Sequence, residues 1–227
     1  MKVLARKIYN KIELLGSLIF FERKFRKRQL RIIQNLGEGM NTILELGIGT
    51  NSYFHKQNRS YRIVGFDIFE PSLKNAKAKG TIDDYFVGNV NEIDKYFEEN
   101  SFDLVCAFDL IEHLNKDDGI KLIHNMGKIA KKRVVIYTPN GFLYQPPSPE
   151  NPFQEHLSGW AYHEMKNSGF KVWGINGYKK LRGIYARPKI RPYFIGNFIS
   201  NLSMILLKFI NKEEKSFSIL CSKDINN

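Results

Sequence analysis

The sequence predicts an α/β chain built on a doubly wound, mostly parallel sheet of seven strands, the last of them antiparallel. Three observations carry this. Short apolar runs alternate with segments of helical period from Asn41 to Cys221. The first run stops at a pair of glycines, Gly47 and Gly49. The second stops at an acid, Asp67, about twenty residues further on.

Residues 1–36 read as a basic helical appendage of two helices hinged near Gly16–Ser17. Leu4, Ile8, Ile12 and Leu15 recur at helical spacing, as do Leu30, Ile33 and Leu36. The main domain then occupies 37–227. Asn41–Gly47 is the first strand, with a helix expected to begin after Gly49. Tyr61–Asp67 is the second strand. Pro71–Lys79 is a helix with proline in its first turn and Gly80 beyond its end. Asp84–Val87 is a short third strand and Phe102–Phe108 a fourth, followed by a helix over Asp118–Ala130. Arg133–Thr138 is the fifth strand, stopped by Pro139-Asn140-Gly141. A helix near Ser158–Asn167 leads to a sixth strand, Phe170–Ile175, and Ser216–Cys221 is the last. Between these two strands lies an insertion, about 179–212, that is basic from Lys179 to Arg191 and then apolar and helical from Tyr193 to Ile210. A connection of that length is usually functional or packed on something.

The net charge of +12 is concentrated in two places. Residues 1–36 carry ten Lys and Arg against Glu13 and Glu22, and residues 171–192 carry seven bases and no acid, so the rest of the chain is slightly acidic. Localised basic patches attract anionic partners such as nucleic acid, acidic lipid headgroups or phosphorylated molecules. Cys106 and Cys221 are too few and too isolated for a disulfide scaffold or a thiolate metal site. No stretch reaches the ~18–20 apolar residues that span a bilayer. The run Ile12–Phe21 is broken by Glu13 and Gly16 and lacks a cleavage site. A cytoplasmic location is therefore expected, with peripheral membrane association as the alternative.

The chemistry concentrates around Ile43-Leu-Glu-Leu-Gly-Ile-Gly-Thr-Asn51. Glycines after a strand let the backbone turn tightly and approach a nucleotide-like ligand with no Cβ in the way. The third glycine of a diphosphate-binding fingerprint is absent: Thr50, Asn51 and Ser52 follow Gly49. Glu45 precedes the first glycine, Asp67 is placed to accept hydrogen bonds from ribose hydroxyls, and Asn89 follows the third strand in Val87-Gly-Asn-Val90.

This pattern resembles the class I S-adenosylmethionine-dependent methyltransferases, in particular the methyltransferase type 11 group, from about Asn41 to Asn140 and more loosely to Gly183. The resemblance implies a Rossmann-like fold, S-adenosylmethionine as cofactor and S-adenosylhomocysteine as product. It implies that Glu45, Leu46, Gly47, Ile48 and Gly49 form the turn beside the methionine part. Asn51 stands where the family's third glycine would be. Asp67 and Ile68 would lie at the ribose, and Asn89 and Val90 at the adenine, where the family usually has an acid. Phe102-Asp-Leu-Val-Cys-Ala-Phe-Asp-Leu-Ile-Glu-His-Leu114 resembles the segment whose end faces sulfonium and substrate, which makes Asp109 and Leu110 pocket-lining candidates. The cofactor half is then about 41–140 and a substrate lid about 141–160.

Asn140 ends the fifth strand, and the loop after it, whose segment Asn151–Trp160 resembles one that borders the acceptor site in a type 11 subgroup, holds Gln145, Gln154 and Ser158 as well as Tyr144, His156 and Trp160. Asn140, Tyr144, His156 and Trp160 are the candidate acceptor-site residues. His156, Asp109 and His113 are the candidates for catalysis, since an imidazole or carboxylate there could take the acceptor's proton. A metal is not the favoured reading; if one were held, Asp109, Glu112 and His113 would hold it. Phe108-Asp-Leu-Ile lacks the Asn/Asp-Pro-Pro-aromatic segment of amino-methylating nucleic-acid enzymes, and Cys106 lacks the Pro-Cys context of cytosine C5 enzymes. The expected acceptor is a small molecule, such as a sugar, a quinone-like ring or a lipid-linked intermediate. The alternatives are an RNA methyltransferase using the basic patch, or a non-catalytic protein that binds the cofactor or a membrane. Nucleic acid is the weaker partner, because the bases lack the interleaved motifs of RNA-binding modules.

Overall fold

The computed structural model describes residues 16, 19–20, 24–25, 30–49, 51–55, 60–147, 149 and 151–225. Most of the N-terminal appendage, including the hinge expected at Gly16–Ser17, lies outside the described residues. Its described end, residues 30–35, is helical (α1).

Seven strands form one sheet: β1 (Thr42–Leu46), β2 (Arg62–Asp67), β3 (Asp84–Val87), β4 (Phe102–Phe108), β5 (Ala130–Pro139), β6 (Lys171–Tyr178) and β7 (Ser216–Asp224), in the order β3-β2-β1-β4-β5-β7-β6. The pairs β1–β2, β1–β4, β2–β3 and β4–β5 are parallel, and β7 runs antiparallel to both β5 and β6. The expected sheet is thus the observed one. The chain steps outward from β1 through β2 to β3, then returns to β4 on the other side of β1. That reversal opens a crevice beyond the carboxyl ends of β1 and β4, where open α/β sheets bind ligands.

Both faces of the sheet are covered, which is why its central strands are apolar at successive positions. Alternate residues feed opposite cores. Leu44, Val105 and Ile136 face one, with Leu122 and Met126 of α3 (Lys116–Ile129). Ile43, Cys106 and Val135 face the other, with Leu73 and Ala76 of α2 (Glu70–Ala78). Asn115 caps α3 by accepting a 2.9 Å bond from the Asp118 amide, and Asp117 and Asp118 lie in its first turn, where the helix dipole favours acids. No helix among the described residues is long and apolar enough to cross a membrane.

Two expected helices differ from what folds. After Gly49, residues 51–55 form bends and turns rather than the first turn of a helix. The Ser52 hydroxyl donates to Glu45 and accepts from the Phe54 amide, a local bond that competes with helix formation. The helix expected from Ser158 is α4 (Tyr162–Asn167). The amides of Leu157 and Ser158 donate to the Glu112 carbonyl, and Trp160 bridges to Asn140 and Gly141, so this stretch is extended until Ala161.

The insertion carries α5 (Tyr193–Phe209), which packs on β6. β6 runs past the expected Ile175 to a kink at Asn176 and Gly177, both with positive φ. A Cβ on Gly177 would collide with the Ser200 carbonyl of α5, so only glycine lets helix and strand approach this closely.

Candidate functional site

β1 delivers Gly47 and Gly49 to the crevice, with φ of +62° and +59°. A Cβ on Gly47 would lie 2.8 Å from Leu110 Cδ1, whereas one on Gly49 would meet open space. Both glycines are needed for the left-handed backbone, and Gly47 also for the contact with the end of β4. Beneath the turn, Glu45 is buried at 1% exposure. Its carboxyl accepts from Ser52 Oγ at 2.5 Å and from the Tyr53 amide at 3.4 Å. Burial pushes its pKa up to about 7, against the lowering effect of these two bonds. Glu45 and the buried Leu46 therefore brace the turn from below and line none of the three cavities at the crevice. Ile48 and Asn51 line its outer side, on a cavity of about 420 Å³.

Asp67, at the end of β2, ties neighbouring loops together. Oδ2 accepts from the Gly49 amide at 3.4 Å and Oδ1 from the Phe69 amide at 2.8 Å. Burial raises its pKa, and those amides oppose the rise. Asn89, past β3, spends its side-chain oxygen on the Asn91 amide at 3.0 Å, capping the turn over Val90–Lys95. Gly47, Gly49, Asp67, Ile68, Asn89, Val90, Asp109 and Leu110 all line one cavity of about 350 Å³, a volume suited to a small ligand. The site candidates from β1, β2, β3 and β4 thus converge as expected. The loop 151–155 and four residues that the sequence did not point to, Ser72, Asn91, Asn115 and Asp118, complete the wall.

Asp109 is the pivot. Its φ is +48°, held by its amide donating to the Tyr137 carbonyl at 2.9 Å. It lines all three cavities, as does Gln154. Its surface opens onto the cavities, yet protein rings it closely enough for desolvation to lift its pKa to about 7. Its carboxyl hydrogen-bonds that of Glu112, which is 2% exposed and also receives Thr138 Oγ1 at 2.9 Å. Burial first, and the Asp109 charge second, drive Glu112 well upward.

The third cavity, about 290 Å³, is lined by Glu112, His113, Tyr137, Gln145, His156 and Tyr185 among others. His113 Nδ1 lies 2.9 Å from the Glu155 carbonyl and His156 Nδ1 lies 2.7 Å from that of Leu143. The rings meet edge to face with centroids 4.8 Å apart. Burial lowers both pKa values, so both imidazoles are largely neutral at neutral pH. Glu112, His113 and His156 bring one donor atom each within 4.8 Å of one another. His156 thus joins Glu112 and His113, two of the three residues that the sequence offered for a metal.

The other acceptor-site candidates sit elsewhere. Asn140 is a fastener: its Nδ2 donates to the Glu214 and Ser216 carbonyls and its Oδ1 accepts from the Tyr162 amide. Trp160 is 2% exposed, with Nε1 donating to the Ile111 carbonyl and to Ser158 Oγ. Tyr144 is exposed and lines none of these cavities. Gln154 of the lid segment reaches all three cavities, and Tyr137 and Tyr185 reach the third. For the two tyrosines the signal in the sequence was only position, near a strand end and in the insertion.

Residues 44–138 match the family model described as a methyltransferase domain. Among solved structures, the fold is similar to a SAM-dependent methyltransferase from Archaeoglobus fulgidus, with TM-score 0.56 and 17% identity over 91% of this chain and 98% of that one. It is also similar to small RNA methyltransferase HEN1, with TM-score 0.57 and 13% identity over 89% of this chain and 25% of that one. A Haemonchus contortus phosphoethanolamine N-methyltransferase 2, solved with S-adenosyl-L-methionine, gives TM-score 0.54 and 17% identity over 88% of this chain and 52% of that one. No curated protein matches the sequence. The glycine turn, the acid after β2 and the sheet order are thus those of a Rossmann-like methyltransferase fold, and residues 44–138 of it match the methyltransferase-domain model.

Proposed function

We propose that this protein transfers a methyl group from S-adenosylmethionine to a small-molecule acceptor seated in the cavity of about 290 Å³. The observation that carries the reading is the meeting of that cavity with the 350 Å³ cavity at Asp109 and Gln154. A ligand in each would face the other across these two side chains. The residues fit the cofactor: the open space beyond Gly49 admits a close-approaching chain, and Asp67 offers carboxylate oxygens at the ribose position. When bound, S-adenosylmethionine would supply a sulfonium methyl open to in-line attack by an acceptor atom, with S-adenosylhomocysteine as the leaving thioether.

In this reading the protein mostly orients the reactants. Gly47 and Gly49 admit the methionine part, Asp67 holds the ribose, and Asn89 and Val90 border the base. Asp109 stands between cofactor and acceptor. His113 and His156 present neutral imidazoles to the acceptor cavity, where one can receive a proton from a hydroxyl or amine. The insertion supplies Tyr185 and Ala186 to the same cavity, so acceptor choice resides there and in the lid. The apolar face of α5 and the bases around it favour an acceptor or surface of lipid character over nucleic acid. Arg182 does not belong to that basic surface, since it is folded inward onto the Asn176 and Ala186 carbonyls and Ser200 Oγ.

Calorimetric titration with S-adenosylmethionine and S-adenosylhomocysteine tests the reading, with the Asp67→Ala variant alongside. Micromolar binding that the variant loses supports it. An absence of binding in the native protein would sink it. Labelled methyl recovered in RNA rather than small molecules after incubation with extract would overturn the acceptor class.

A further inference from the structure

We infer that Glu112, His113 and His156 form a binding site for a divalent transition-metal ion, with open coordination positions facing the cavity of about 290 Å³. The three donors come from two segments. The turn Ile111–His113 after β4 supplies Glu112 and His113, and the loop beyond β5 supplies His156. That loop is fastened to the turn by the Leu157 and Ser158 amides on the Glu112 carbonyl, and by Ser158 Oγ and Trp160 Nε1 on the Ile111 carbonyl. The histidine is therefore held against the other two by backbone bonds and a buried indole.

The second layer is what a metal site requires. A carbonyl oxygen can only accept, so the Nδ1 atoms of His113 and His156, 2.9 Å and 2.7 Å from the carbonyls of Glu155 and Leu143, carry the hydrogens. In a neutral ring the lone pair is then on Nε2. Metal-bound histidines are oriented in this way, by the second ring nitrogen donating to a carbonyl or carboxylate. Glu112 has its own anchor in the Thr138 hydroxyl, at 2.9 Å. The donor atoms lie within 4.8 Å of one another. Bonds of about 2.1 Å to a shared ion would draw them in by roughly an ångström. Two imidazoles and one carboxylate suit Zn²⁺, Mn²⁺, Fe²⁺ or Co²⁺ better than Mg²⁺ or Ca²⁺. Three protein ligands on a cavity wall leave positions for an oxygen of a bound molecule, in the manner of open rather than closed sites. That this oxygen belongs to the methyl acceptor rests on the methyl-transfer reading above; the metal site rests on the residues alone, and an ion bound there would take both imidazole lone pairs, so the histidines would hold the ion instead of receiving the acceptor's proton.

The test is metal uptake by the native protein after dialysis against Zn²⁺, read by elemental analysis, and the visible absorption of the Co²⁺-loaded form. One equivalent per chain is expected. His113→Gln and His156→Gln should each weaken binding by roughly 100-fold or more and abolish the Co²⁺ spectrum, while the exposed His124→Gln should change neither. Glu112→Gln, which keeps the side chain's shape, serves if a histidine variant does not fold. Uptake below one equivalent, or equal uptake by the variants, overturns the proposal. S-adenosylmethionine titration of the same samples separates the two readings: cofactor binding without metal uptake overturns only the metal, and metal uptake without cofactor binding overturns only the methyl transfer.

Discussion

Ser52 Oγ donates a 2.5 Å hydrogen bond to the buried carboxyl of Glu45, so the residue that turns the chain after the glycines is pinned to the strand before them. The bond makes the shape of the cofactor turn depend on a carboxyl whose pKa burial has lifted from 4.5 to about 7.

A group that holds its proton more tightly folded than unfolded favours folding below the unfolded pKa, and that contribution is lost as pH rises through the folded one. Glu45 thus costs the free protein nothing near pH 4 and most above pH 7. Glu45→Gln should leave stability nearly unchanged at pH 4 and raise it by up to about 3 kcal/mol at pH 8, since each tenfold change in proton affinity is worth about 1.36 kcal/mol. Urea unfolding at the two pH values decides it. A variant destabilised equally at both would show that the carboxylate is needed for the turn whatever its charge.

Gly47→Ala and Gly49→Ala should separate backbone strain from collision. Both place a side chain at positive φ, costing about 1 kcal/mol or more. Only Gly47→Ala also pushes a methyl to within 2.8 Å of Leu110. Its melting temperature is expected to fall further than that of Gly49→Ala, which faces open space. The reverse order in thermal melts would refute the contact.

Asp67 accepts from two amides and, in the proposed function, from ribose hydroxyls as well. Asp67→Asn keeps one acceptor oxygen and should weaken S-adenosylmethionine binding less than Asp67→Ala. For the latter a loss of about 10–100-fold follows from charge-assisted hydrogen bonds of about 1.5–3 kcal/mol. Equal losses in calorimetry would mean that the carboxyl acts only on the loop.

Trp160→Phe keeps the apolar fill but removes the Nε1 donor to Ile111 and Ser158. The cost expected is about 1–2 kcal/mol of stability. Hydrogen exchange across residues 151–160 should accelerate, because the amides of Leu157 and Ser158 rest on the same turn. Unchanged exchange there would show that the loop is held without the indole.

On α5, Leu202, Ile205, Leu206 and Phe209 are exposed at helical spacing, Phe209 at 85%. If this face meets an anionic lipid surface, the protein should co-sediment with acidic but not neutral vesicles at low salt, and Phe209→Glu should cut binding several-fold. No sedimentation with acidic vesicles would leave the face to protein contacts.

The strand–helix alternation, the glycine turn and the acid after β2 were legible in the sequence because each is local. A period of two or 3.6, or a glycine at positive φ, is written within a few neighbouring residues. Asp109, Asp67 and Asn89 were legible for the same reason: each ends a strand or follows one within two residues, and the carboxyl ends of parallel strands share one edge. Tertiary structure alone decided which distant groups meet. Nothing near Glu112 or His113 announces that His156 will face them. Nothing near Asn140 or Trp160 says that one will tie two strands together and the other be buried beneath the lid. Even the helix expected after Gly49 gave way to the Ser52 bond to Glu45, which forms only because that carboxyl is buried under the turn. Burial and pairing set by remote segments decide which polar groups must find partners, and propensity along the chain does not contain that information.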